Sequence, residues 1–156
     1  MRKTLLMIIG FCSALGVTVS AYALYLHYQT TGSSFCNINE LWNCDVVNKS
    51  QYSEILGIPV SALGVLAYSF LFYVSVHFMR GRPIPKYTLE LATGFAAFPF
   101  LFSIYLTYIE LFVLYTVCLL CVTQQALILI ILISLIILWR HYKRNPELVA
   151  QWHSRA

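Results

Sequence analysis

The stretch Thr116-Val117-Cys118-Leu119-Leu120-Cys121-Val122-Thr123 places two cysteines three residues apart at the start of a long apolar segment. Residues i and i+3 share one face of a helix, so both thiols point the same way, with Cβ atoms about 5–6 Å apart. A disulfide needs about 3.5–4.5 Å, which a small local tightening would supply. Free N–H groups and the dipole at a helix N-terminus favour a thiolate. The stretch therefore predicts a redox-active pair; the alternative is two small apolar residues packed in a membrane helix.

The composition is that of an integral membrane protein. Of the 156 residues, 60% are hydrophobic and only 10% are charged, and the mean hydropathy is +0.74. A membrane-spanning helix needs about 20 mostly apolar residues, and four such runs predict spans at about 4–28, 57–79, 88–109 and 116–139. The formal charge of +4 does not indicate nucleic-acid binding, because the basic residues lie at the ends of the apolar runs.

The first apolar run also resembles a secretory signal, with Ala21-Tyr22-Ala23 as a cleavage motif. We expect a retained span instead, because the apolar run continues through Leu24-Tyr25-Leu26 to spanning length. The five cysteines are an odd number, so at least one is unpaired or pairs with another chain. Cys12 lies within the first span with no cysteine at helical spacing, and we expect it to be a packing residue.

Three clusters of basic residues indicate the orientation of the chain. Positive residues concentrate on the cytoplasmic side, and four spans place all three clusters there with both termini in the cytoplasm. We therefore expect an all-α, integral membrane four-helix bundle, with one domain at 1–144 and a cytoplasmic tail at 145–156. The clusters consist of Arg2 and Lys3; Arg80, Arg82 and Lys86; and Arg140, Lys143 and Arg144.

The polar loop at 29–56 carries a second cysteine pair, Cys36 and Cys44. In this orientation the extracytoplasmic loop and the short turn before Cys118 lie at the same membrane face, so we expect the two pairs to meet there. That face is oxidising in a bacterial inner membrane or an ER membrane, and we expect a soluble protein to reach the loop. Part of the loop is predicted to lie on the bilayer as a short amphipathic helix, using Val46, Val47, Ile55 and Leu56.

Glu110 interrupts the apolar character between the third and fourth spans. We expect an interfacial carboxylate at a helix end; the alternative is a proton-handling group inside the bundle. Pro99 is predicted to kink the third span.

Several motifs occur together in this chain: Cys36-x7-Cys44, Ser50 six residues later, Gly57-Ile58-Pro59-Val60-x-x-Leu63-Gly64, and Phe112-Val113-Leu114-Tyr115-x-x-Cys118-x-x-Cys121. In this combination the chain resembles the vitamin K epoxide reductase family over nearly its whole length. The resemblance implies a four-helix membrane bundle around a quinone, in which the loop pair Cys36 and Cys44 passes electrons to the C-x-x-C pair. It also implies that Cys121 faces the quinone as a thiolate, that Cys118 exchanges with the loop, and that Ser50 lies near a quinone oxygen.

Two departures from the vertebrate members of that family indicate a different substrate. The vertebrate enzymes have a tyrosine four residues after the second C-x-x-C cysteine, where this chain has Gln125, and an asparagine near the second span that is not evident in Leu56-Gly57-Ile58-Pro59-Val60. The Gly-Ile-Pro-Val run resembles bacterial homologues, which oxidise thiols and reduce quinone, here without a fused thioredoxin-like domain.

The resemblance to bacterial homologues implies a disulfide-forming thiol:quinone oxidoreductase. Its electron acceptor would be ubiquinone or menaquinone, and its partner a separate, soluble DsbA-like or thioredoxin-like thiol oxidase. The localisation implied is the bacterial inner membrane, with the active site on the periplasmic face. The chemistry balances, because a dithiol gives up two electrons and two protons and a quinone accepts both.

Three other functions are alternatives to this one. Vitamin K epoxide reduction is the alternative within the enzyme class. Four cysteines can bind structural zinc, but no second pair has the usual short spacing and one pair opens a membrane helix, so we expect no metal. The remaining alternative is a structural membrane protein with adventitious cysteines, which a disulfide-linked adduct of Cys36 or Cys44 with a soluble protein would exclude.

Overall fold

The computed structural model describes residues 2–29, 34–39, 41–80 and 86–144. The helices are α1 Arg2–Tyr28, α2 Cys44–Asn48, α3 Val60–Met79, α4 Lys86–Phe112 and α5 Leu119–Arg144. A 3₁₀ turn at Gln51–Ser53 and a hairpin of β1 Glu54–Ile55 and β2 Ile58–Pro59 lie between α2 and α3. The predicted tail at 145–156 and Arg82 of the second basic cluster lie outside the described residues.

Four of the helices, α1, α3, α4 and α5, are long and apolar enough to cross a membrane. This confirms the predicted membrane bundle of four helices. Pro99 lies inside α4 without ending the helix. The helices meet chiefly along α1–α3, α1–α5 and α4–α5, so α1 and α5 form the centre of the bundle.

Two spans begin later than their apolar runs suggested. The second was expected from Gly57 with Pro59 in its first turn, but α3 begins at Val60, because Ile58 and Pro59 pair as a strand with Glu54 and Ile55. The fourth was expected from about residue 116, but α5 begins at Leu119. Here the residues before α5 are held in extended backbone by pairing with the loop that precedes α2.

The loop contains a short helix, α2, but the expectation that Ile55 and Leu56 belong to such a helix is wrong. The hairpin reverses through Leu56 and Gly57, whose φ angles of 53° and 77° are both left-handed. A two-residue turn with both φ angles positive matches the twist of paired strands, which is why the chain forms a hairpin here. Leu56 at its tip is 98% exposed.

The main core lies between the four long helices and is made of aliphatic and aromatic side chains. Cys12 is buried in it as a free thiol. Polar bonds cross between helices within this layer: the Ser75 hydroxyl of α3 donates to the Leu6 carbonyl of α1 at 2.7 Å, and the Tyr68 hydroxyl donates to the Gln124 carbonyl of α5 at 2.9 Å. The fully buried members of this core include Leu6, Leu71, Ile131 and Leu138.

Helices α1 and α3 approach closely where Gly16 faces the ring of Tyr68. A Cβ atom built on Gly16 would overlap three atoms of that ring. The ring cannot turn away freely, because Tyr68 is buried and its hydroxyl is bonded to α5. The absence of a side chain at Gly16 therefore sets the α1–α3 distance.

We expect Gly16→Ala to lower the free energy of unfolding by about 1–3 kcal/mol, the usual cost of forcing extra volume into a packed core. The matched control is Gly94→Ala in α4, where a Cβ would meet no atom within 4 Å. That variant should be neutral or more stable by about 0.5–1 kcal/mol, because alanine loses less backbone entropy in a helix. Thermal unfolding in detergent measures both, and equal stability of the two variants would contradict the packing argument.

Candidate redox site

The loop and the segment before α5 are joined by backbone pairing. Trp42 and Val117 form a parallel bridge, in which the Val117 N–H donates to the Leu41 carbonyl at 2.7 Å and the Asn43 N–H donates to the Val117 carbonyl at 3.2 Å. The chain enters this pairing through Tyr115, which has a φ of 50°. Because the two segments run side by side, the residues that follow them, Cys44 and Cys118, come close together.

Cys36 and Cys44 form a disulfide that closes the loop. Side chains on either side of the bridge hold its shape. The Asn43 amide oxygen caps α2 by accepting from the N–H groups of Asp45 and Val46, and the Asn37 amide donates to the Asp45 carboxylate at 2.8 Å. The disulfide is thus held in a rigid, internally bonded turn.

Three of the cysteines lie in one buried cluster at this end of the bundle. Cys36 and Cys44 have no exposed surface and Cys118 almost none, while half-buried Cys121 packs against them. The two cysteine pairs meet, as their placement relative to the spans suggested. The apolar residues that surround them are Ala23, Leu26, Val47 and Leu120.

The loop disulfide is not directly accessible, because both of its cysteines are fully buried. Val47 of α2, expected to face the bilayer, instead covers the sulfur atoms. Two contacts from the loop to α1 keep it closed: the Asn48 amide donates to the Ala23 carbonyl at 2.6 Å, and His27 Nδ1 lies 2.7 Å from the Asn48 carbonyl. A protein partner reaches either sulfur only when the loop moves.

The C-x-x-C pair straddles the start of α5. Cys118 precedes the helix and Cys121 lies in its first turn, where the Cys121 N–H donates to the Cys118 sulfur at 3.4 Å. The pKa of the Cys118 thiol is lowered, chiefly by the hydrogen bond from the Cys121 thiol, although burial acts in the opposite direction. These bonds favour a thiolate on Cys118.

Glu110 is inside the bundle, so the expectation of an interfacial carboxylate is wrong. Its side chain, near the C-terminal end of α4, is 3% exposed, and its Oε2 accepts from the Cys118 N–H at 3.1 Å. Cys121 lines the same cavity wall as this carboxyl group. Glu110 is buried because the chain after α4 turns back: the Thr116 N–H donates to the Glu110 carbonyl at 3.0 Å, which brings Cys118 over the carboxyl group.

A cavity of about 600 Å³ opens beside the C-x-x-C pair, between α3, α4, α5 and the loop. This is within the range for small-molecule sites, about 300–1,000 Å³. Its wall is mostly apolar, and Cys118, Cys121 and Glu110 lie on it. A flat, apolar ring of quinone type fits such a wall. The aromatic residues on it are Tyr52, Tyr68, Phe70, Phe95, Phe98 and Phe102.

Ser50 lies on the cavity wall, but its hydroxyl donates to the Val47 carbonyl at 2.8 Å. It must rotate before it can donate to a ligand. Ser61 lies on the same wall, and its buried hydroxyl has no hydrogen-bond partner within the described part of the chain. Gln124 reaches the cavity from the turn after Cys121, and its amide oxygen accepts from the Ser20 hydroxyl at 3.1 Å.

Gln125, at the position of the vertebrate tyrosine, lies outside the cavity lining. Its amide oxygen accepts from the Thr107 hydroxyl at 3.0 Å and so joins α4 to α5.

Sequence reasoning did not identify Ser61 or Gln124. Gln124 could have been predicted from the sequence, because it lies three residues after Cys121 and therefore on the same helix face. Ser61 belongs to no sequence motif that indicates a role in the site. Over residues 2–29, 34–39, 41–80 and 86–144, no group of three or more His, Cys, Asp or Glu side chains is arranged to hold a metal ion.

The family model for the vitamin K epoxide reductase family matches residues 7–136, which is most of the chain. That span contains all four cysteines of the two pairs, Glu110 and the cavity. Members of this family are membrane thiol–disulfide oxidoreductases that generally use a quinone as electron acceptor. The membrane bundle, the loop disulfide and the match over residues 7–136 together show that this chain belongs to the vitamin K epoxide reductase family.

Proposed function

We propose that this protein is a disulfide-forming thiol:quinone oxidoreductase. It oxidises a soluble DsbA-like or thioredoxin-like dithiol protein and delivers the electrons to ubiquinone or menaquinone in the membrane. One observation carries the proposal: the loop disulfide and Cys118 share one buried cluster, while Cys121 lies on the wall of an apolar cavity. A single pair of cysteines could not serve both a water-soluble protein and a lipid-soluble ring.

The relay consists of two thiol–disulfide exchanges followed by the reduction of a quinone, and each step moves two electrons. The dithiol of the partner attacks the Cys36–Cys44 disulfide and leaves as a disulfide itself. The loop dithiol then reduces the Cys118–Cys121 disulfide through a mixed disulfide. A quinone bound in the cavity supplies the final acceptor for two electrons and two protons. In the structure Cys36 and Cys44 form a disulfide, and Cys118 and Cys121 are free thiols.

Gln125 supports thiol:quinone chemistry over the epoxide alternative. The tyrosine of the vertebrate enzymes is replaced by an amide that bonds to Thr107 between α4 and α5.

We expect purified protein to reduce ubiquinone or menaquinone when a reduced DsbA-like dithiol protein is supplied, as followed by the ultraviolet absorbance of the quinone. Ser50→Ala should slow this reaction several-fold, because a buried hydrogen bond to a quinone oxygen contributes about 0.5–1.5 kcal/mol. Absence of turnover with both quinones would refute the proposed function.

The matched control for Ser50 is Ser134→Ala in α5. Its hydroxyl also donates to a backbone carbonyl, that of Ile130, but the residue is remote from the cavity lining. An equal rate for Ser50→Ala and Ser134→Ala would show that Ser50 only shapes the turn after α2.

The order of the relay is tested by trapping. In Cys121→Ser, a mixed disulfide between Cys118 and Cys36 or Cys44 should accumulate, because no thiol remains beside Cys118 to resolve it. Proteolysis between the loop and α5 should then leave two fragments that separate only after reduction. Cys118→Ser should not trap this species, and Cys12→Ala should change nothing. A link through Cys121 would reverse the two roles, and no link in either variant would disprove the relay.

We further propose that the loop lies on the periplasmic face of a bacterial inner membrane, with both termini cytoplasmic. Leu56→Cys, at the exposed hairpin tip, should be labelled by a membrane-impermeant maleimide in intact cells. Lys143→Cys, exposed at the far end of α5, should be labelled only in opened cells. The reverse pattern would invert the topology and remove the oxidising compartment from the mechanism.

A further inference from the structure

We propose that Glu110 is a catalytic proton acceptor and donor for the C-x-x-C pair. It would take protons from the thiols as they are oxidised and release them to the electron acceptor in the cavity. The inference rests on the proposed function, because it needs an acceptor that takes up both electrons and protons.

The geometry brings Glu110 to the three places that this role requires. Its Oε2 accepts from the Cys118 N–H at 3.1 Å, it lies on the cavity wall, and Cys121 lies on that same wall. Its other oxygen, Oε1, is buried and has no strong hydrogen-bond donor among the described residues. That oxygen has lone pairs available for a proton.

The two helix ends at Glu110 act on a negative charge in opposite directions. The residue lies near the C-terminal end of α4, where the helix dipole disfavours an anion, and faces the N-terminal end of α5, where the dipole and the Cys118 N–H favour one. Ionisable side chains at membrane depth are costly to keep and mark proton pathways. A carboxyl group placed between opposing dipoles can hold its proton and release it.

The balance of the step is complete. Oxidation of the Cys118 and Cys121 thiols to a disulfide forms one S–S bond and releases two electrons and two protons. Both electrons go to the quinone. The two protons pass one after the other through Glu110 to the two oxygens of the quinone, so Glu110 returns to its initial protonation state. Among the described residues, apart from the two thiols, Glu110 is the titratable group that interacts electrostatically with Cys118 and Cys121.

Glu110→Gln separates proton transfer from structure. The amide oxygen can still accept from the Cys118 N–H, so the turn before α5 is kept, but the group no longer exchanges a proton. We expect the rate of quinone reduction by the pre-reduced protein to fall about 10²-fold or more, the usual effect of removing a general acid–base group. Glu110→Ala should be as slow as Glu110→Gln, and Glu110→Asp should recover part of the rate. The matched control is Glu90→Gln, an exposed carboxyl on α4 that should keep the wild-type rate.

A second readout needs no quinone. In a Cys118→Ser background, the rate at which a small bimane reagent alkylates Cys121 is measured against pH with and without Glu110→Gln. A carboxylate that faces the thiol opposes formation of a second negative charge, so alkylation in the Gln variant should set in at lower pH. The groups that face Glu110 are Cys118 and Cys121, and the first is absent from this background. Glu90→Gln should leave the profile unchanged.

The outcomes are distinguishable. A Glu110→Gln variant that reduces quinone within a few-fold of wild type, or an alkylation profile that does not move, would overturn the proton role. A wild-type protein that reduces no quinone would overturn the proposed function instead, even where the alkylation profile does shift.

Discussion

The whole site depends on one short piece of backbone pairing between the loop and the residues before α5. The bonds of Val117 with Leu41 and Asn43 delay the start of α5 until Leu119, and they place the loop disulfide against Cys118. They also force the reversal after α4 that turns Glu110 inward. Without this pairing the C-x-x-C pair would be an ordinary part of a membrane helix, separated from the loop by its own apolar surroundings.

The same pairing supplies hydrogen bonds to backbone groups of the segment between α4 and α5. In the hydrocarbon region every N–H and C=O needs an internal bond, and the interval between α4 and α5 is not helical. The loop supplies those bonds from outside the membrane-spanning helices. The loop between α1 and α3 is therefore part of the fold of the bundle, and its attachment to α1 through Asn48 and His27 also holds it in place.

The architecture was largely predictable from the sequence, because apolar runs report directly on what a bilayer demands. The four spans and the meeting of the two cysteine pairs followed from run length and basic flanks. The prediction of secondary structure from local composition was wrong where pairing with a distant segment of the chain determines the backbone conformation. The sequence around Val117 predicts a helix, but Val117 pairs with the loop backbone at Trp42. Ile55 was expected to face the bilayer, but it lies in strand β1. The exposure predicted for Glu110 was wrong for a related reason. Its position near a helix end suggested contact with water, but the chain turns back to Cys118 and buries the side chain.

The complete burial of the Cys36–Cys44 disulfide affects which thiols the protein can use. Attack on a disulfide needs a sulfur to approach along the S–S axis, and neither sulfur offers that approach while Val47 and the loop cover it. Small thiols in solution are thereby kept from discharging the oxidised loop at random. A protein that binds the loop and opens it gains access through the energy of its own contacts. Burial thus protects the loop disulfide from any reactant that cannot displace the side chains covering it.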